Sequence, residues 1–78
     1  MDRKIILVWD FHGEDAEKTA EHHCRHLEEF MVREKMEMLE NYVNTTDPIH
    51  FMACMTVYEK DIPVLRDTLK PHRAFVVE

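Results

Sequence analysis

Residues 14–35, EDAEKTAEHHCRHLEEFMVREK, constrain this chain more than any other stretch, because their pattern suits only an amphipathic helix. Ala16, Ala20, Cys24, Leu27, Phe30 and Met31 recur at spacings of three and four, which places them on one apolar stripe. The residues around them are mostly good helix formers. Gly13, the one glycine in the chain, ends whatever precedes the helix. Glu14, Asp15 and Glu17 suit the positive end of the helix dipole, and Arg33 and Lys35 suit the other end.

This helix carries four chemically suggestive side chains in five positions: His22, His23, Cys24 and His26. At about 100° per residue the apolar stripe centres near Leu27. His23 falls at its border, His26 on its flank and His22 toward water. His22 and His26 are one turn apart, a spacing that presents two imidazoles to one metal ion. Two ligands on an exposed face are half a site, which His23 or Cys24 of a second subunit could complete. A solvated histidine pair is the simpler reading.

The other elements follow in order. Residues 4–9, KIILVW, form a continuous apolar run, which reads as a strand buried on both faces. Residues 10–13, DFHG, read as the loop into the helix, where Asp10 and His12 form a candidate acid–base pair. One helix running on to Val43 would be about 45 Å long. A break near residues 35–38 and a weak polar strand up to residue 44 are therefore expected. Asn44, Thr45, Thr46, Asp47 and Pro48 are turn formers. Residues 49–58 are the second strongly apolar strand. Residues 59–70 form a second helix with Asp61 as N-cap and Pro63 in its first turn. Pro71 stops that helix, and residues 74–77 make a last short strand.

Strand, helix, strand, strand, helix, strand is the order of an α+β, ferredoxin-like βαββαβ sandwich: an antiparallel four-stranded sheet with two helices on one face. The alternative is a three-stranded βαβαβ unit with one long first helix. In the ferredoxin-like arrangement the first and third strands are central, and these are the two most apolar ones here. Both alternating sets of these strands are apolar, yet two helices cover only one face. An uncovered apolar face is normally an interface, so a homodimer packed sheet on sheet is expected.

At 78 residues the chain is expected to be one domain, 1–78. Its formal charge of −6 argues against general nucleic-acid binding, which needs a basic surface. No apolar run is long enough to span a bilayer, and no secretion signal is legible. Cys24 and Cys54 stand thirty residues apart on apolar faces, as expected of buried thiols in a reducing cytoplasm.

Arg66, Lys70, His72 and Arg73 are the one basic cluster in an acidic chain, and Arg66, His72 and Arg73 are its candidates for holding a small anionic ligand. His50 and His72 each lie near a strand start, where His12, His23 or His26 could converge on His50. No phosphate loop, nucleophile elbow, metalloprotease signature or dinucleotide fingerprint is present. His26-Leu27 after an acidic helix start, on a chain of this pattern, resembles the YCII-related branch of the dimeric α+β barrels. That resemblance implies a histidine and an aspartate in a cleft between helix and sheet. The Gly-Pro and Asp-Pro-Phe elements of that branch are absent, and no catalytic residue is carried over.

Three functions are therefore expected, in order. The first is a non-enzymatic homodimeric module that binds a small ligand or a protein and needs no cofactor. The second is a metal-binding protein using His22 and His26. The third is a small dimeric α+β-barrel enzyme with Asp10, His12 and His23 or His26 as its candidates.

Overall fold

The computed structural model describes residues 3–77, which form an α+β fold with a four-stranded antiparallel sheet and two helices. The elements are β1 (Lys4–His12), α1 (Ala16–Arg33), β2 (Glu40–Asp47), β3 (His50–Tyr58), a 3-10 turn (Glu59–Asp61), α2 (Ile62–Leu69) and β4 (Arg73–Val77). Neighbouring strands run in the order β2-β3-β1-β4. The apolar strands β1 and β3 are therefore central, and the polar β2 lies at one edge. The three-stranded alternative is excluded, because α1 ends at Arg33 and residues 40–47 pair with β3.

One face of the sheet is built by Ile5, Leu7, Trp9, Ala53, Met55 and Val57. These pack with Cys24, Leu27 and Met31 of α1 and Leu65 of α2 into a single buried cluster. Successive side chains of a strand point to opposite faces, so Ile6, Val8, Met52 and Cys54 look the other way and form a separate cluster without a helical residue. The shortest dimension, 19 Å, fits one helix layer on one sheet layer. Two polar ties fasten the helical layer. The Trp9 indole N–H donates to the Leu69 carbonyl at 2.8 Å, and Asn41 Nδ2 donates to the Cys24 carbonyl at 2.8 Å.

The break after α1 has a definite cause. Met36 N–H returns to the Met31 carbonyl at 2.9 Å and Lys35 N–H to the Val32 carbonyl at 3.2 Å, the pairing of a Schellman cap. The left-handed position in that cap falls on Lys35 at φ 55°, where glycine is the usual occupant. Met36 then packs against the core. No glycine marks this end, so the sequence pattern alone left it loosely placed.

Several expectations are corrected. β1 continues through His12, so residues 10–12 are strand and the loop is only the stretch around Gly13, whose φ is 111°. The hydrogen bond from Gly13 N–H to the Ile49 carbonyl, 2.9 Å, holds that end. β2 likewise runs through Asn44, Thr45, Thr46 and Asp47, and the turn shrinks to Pro48 and Ile49. Asp47 Oδ1 accepts the Ile49 N–H at 2.9 Å, and the hairpin takes up the remaining irregularity as a bulge between Thr45 and Asp47. Asp61 makes no side-chain cap, because a 3-10 turn already occupies residues 59–61.

Two stability measurements follow. Leu27→Ala, at a site 1 % exposed, is expected to cost about 2–5 kcal/mol in urea unfolding, while Val32→Ala on the outer face stays within about 0.5 kcal/mol. Lys35→Gly is expected to stabilise the fold by up to about 1 kcal/mol by relieving the left-handed backbone; an unchanged melting temperature would count against that strain.

Candidate functional site

The extension of β1 to His12 decides where the polar side chains go. Asp10 and His12 fall on the same face as Ile6 and Val8, away from both helices. Arg73, Phe75 and Val77 share that face, since Arg73 pairs with Val8, Phe75 with Ile6 and Val77 with Lys4. The open face is thus apolar through its middle and polar at the end where β1 finishes.

The Asp10 carboxylate is the hub of that end, with its side chain 18 % exposed. Arg73 grips it with a fork, Nε donating to Oδ2 at 3.0 Å and Nη2 to Oδ1 at 2.6 Å. His50 Nε2 approaches Oδ1 at 2.8 Å. Burial alone would push the Asp10 carboxyl up, but the hydrogen bonds and charges of Arg73 and His50 outweigh it and hold the carboxyl below its ordinary 3.8. Asp10 therefore stays an anion, which accepts hydrogen bonds and donates none.

That anion orders its surroundings. A carboxylate acceptor requires the proton of neutral His50 on Nε2, which leaves Nδ1 as an acceptor, 3.2 Å from the Thr46 hydroxyl. The His12 ring lies flat on His50, centroids 4.3 Å apart and planes 5° from parallel. The Asp10 backbone N–H donates to His72 Nδ1 at 2.8 Å, so the neutral His72 carries its proton on Nε2. His72 is in turn placed by its own N–H, which donates to the Val8 carbonyl at 2.9 Å.

The expected site residues separate into groups. Asp10, His12, His72 and Arg73 come together. His23 does not join them: it lies on the helix side of the sheet, its ring 5.0 Å from Trp9 and 5.4 Å from Phe11. Its Nε2 is buried without a partner, and burial, followed by the charges of His26 and His72, lowers its pKa from 6.5. Asp10 and His23 therefore face opposite sides of the sheet within one chain. Arg66 turns outward to Asp67 at 3.5 Å and stays out of the cluster. His22 and His26 are exposed neighbours on α1 with ring centroids 4.3 Å apart. Among the described residues, no three His, Cys, Asp or Glu side chains are grouped to hold a metal ion.

Two participants were harder to find in the sequence. His50 was legible only as a histidine near a strand start, and Thr46 only as a turn former. Neither carries a local signal, since the pairing of β1 with β3 and the bulge in β2 are what bring them to Asp10. The two thiols are free and buried, and burial pushes each up in pKa, so neither is a ready nucleophile. Comparison with known protein families, with curated proteins and with solved structures finds no match to this chain.

The electrostatics give two pH predictions with defined signs. A carboxyl held below 3.8 contributes stability that is present above that pH and lost as the pH falls through the folded value. Asp10→Asn is expected to cost about 1–3 kcal/mol at neutral pH and to flatten the loss of stability below 3.8. His23 is held neutral by burial, so below 6.5 the unfolded chain takes up a proton that the folded chain refuses, and stability falls. His23→Leu is expected to remove that decline; urea midpoints that track the parent protein between pH 7 and pH 5 (roughly the histidine range) would refute it.

Proposed function

We propose that this chain is a ferredoxin-like homodimeric binding module, in which two copies meet through their open sheet faces and enclose a site for a small anionic molecule. The observation that carries the reading is the second apolar cluster. Val8, Met52 and Cys54, with Ile6 against them, occupy a sheet face on which no helix packs. On that face Tyr42, Phe75 and Val77 remain 37 %, 49 % and 38 % exposed. Val8, Met52 and Cys54 are already buried within one chain, so the apolar surface left in water is the margin of Tyr42, Phe75 and Val77, and a second copy about a twofold axis offers the same margin to cover it. The element order and the neighbour order β2-β3-β1-β4 support the ferredoxin-like assignment.

The polar end would then line the mouth between the two sheets. His12 and His72 are its exposed imidazoles, and Arg73 adds to them the donors that its fork on Asp10 leaves over, a set suited to a carboxylate or phosphate. The buried free thiols suit a reducing compartment such as the cytoplasm. No helix is long and apolar enough to cross a membrane among the described residues.

Sedimentation equilibrium tests the dimer. A species of twice the 9.4 kDa chain mass is expected at micromolar concentration, and Tyr42→Glu combined with Phe75→Glu should reduce it to one chain while preserving the far-ultraviolet spectrum. A parent protein that sediments as a single chain overturns the reading.

A further inference from the structure

The hairpin between β2 and β3 contains one residue more than the ladder needs. Thr45 pairs with Phe51 and Asp47 with His50, which leaves Thr46 as the extra residue of the bulge. Bulges re-aim a side chain, and here the hydroxyl so released meets His50 Nδ1 at 3.2 Å. His50 Nε2 is in turn bound to the Asp10 carboxylate at 2.8 Å. Hydroxyl, imidazole and carboxylate thus stand in series, the arrangement in which an imidazole takes a hydroxyl proton while a carboxylate stabilises the cation that forms. The series is braced on each side. Arg73 fixes the carboxylate by its fork, and the His12 ring holds the His50 plane by stacking. Thr45 is spoken for, its one hydroxyl proton lying between the Asp47 and His50 carbonyls at 2.6 Å and 2.8 Å. Thr46 is exposed at the hairpin, so an acyl donor has access to its oxygen.

We propose that Thr46 is the nucleophile of an acyl-transfer site, with His50 as its base and Asp10 as the residue that positions His50, acting on small activated esters. In the first step Thr46 Oγ1 forms a bond to the ester carbonyl carbon. Its proton passes to His50 Nδ1, the bond from carbon to the leaving oxygen breaks, and His50 returns the proton to that oxygen. The product is an ester on Thr46 and a free alcohol or phenol. In the second step water adds to the same carbonyl carbon with His50 again taking the proton. The bond from that carbon to Thr46 Oγ1 breaks, His50 returns the proton to Oγ1, and the carboxylic acid departs with the Thr46 hydroxyl restored. No electron donor or acceptor is required. All three groups belong to one chain, so this activity does not depend on the dimer.

p-Nitrophenyl acetate is the probe. The parent protein is incubated with it, p-nitrophenolate release is followed, and the acetylated protein is digested and mapped by mass spectrometry. The expected result is an acetyl group on Thr46, retained in Thr46→Ser, with release about tenfold or more faster than in Thr46→Val. His50→Gln should abolish the Thr46 label. The Thr46-dependent part of the release should be lost with that variant. Exposed His12, His22 and His26 supply background hydrolysis, so release that is equal in Thr46→Val overturns the proposal, as does acetyl found only on lysine or histidine. If Thr46→Val fails to fold by circular dichroism, the map of the parent protein and of Thr46→Ser decides the matter.

Discussion

The alternation of β1 is the constraint on which the rest of this structure depends. A strand sends successive side chains to opposite faces, and β1 is central in the sheet, so both of its faces have consequences. Leu7 and Trp9 go into the core under the helices, at 1 % and 3 % exposure. Val8 and Asp10 go to the open face in the same register. A slip of one residue would bury Asp10 beneath the helices and turn Trp9 out of the core. The tie from the Trp9 indole to the Leu69 carbonyl holds that register against α2, and the Asp10 fork with Arg73 holds it against β4.

The polar end of the open face is an ordered network because its central charge is satisfied from two neighbouring strands. Asp10 on β1 accepts from His50 at the start of β3 and from Arg73 at the start of β4. A partly buried carboxylate without partners would be costly; with a guanidinium fork and an imidazole it becomes the fixed point of its surroundings. His72 is placed by the Asp10 backbone, His12 by stacking on His50, and Thr46 reaches the far nitrogen of the same ring. The chemistry proposed for Thr46 draws on this ion, while the anion site proposed for the dimer rests on the nitrogen-bearing groups around it.

The helix histidines divide by the geometry of α1. His23 reaches the border of the core and covers Trp9 and Phe11, where burial suppresses its charge. His22 and His26 lie on the exposed surface of the same helix. The feature of the sequence that looked richest in chemistry therefore contributes one packed ring and two surface rings. The cluster with the better geometry is assembled from residues that are far apart in the chain.

The sequence by itself determined the elements and their main packing. The stripe of Ala16, Ala20, Cys24, Leu27 and Met31 dictated α1 and its buried face, because a helix repeats every 3.6 residues and those positions follow that period. The two apolar runs dictated the central strands, and their two-sided apolarity pointed to an open face. Strand limits were less legible, since Asp10, Asn44 and Asp47 are poor strand formers that pairing with β3 holds extended. Only the tertiary structure brought Asp10, Thr46, His50 and Arg73 together. The physical reason is that contacts across a sheet depend on register, on the bulge between Thr45 and Asp47, and on which face each side chain takes. Those are properties of paired strands, and no local pattern in a single strand encodes them.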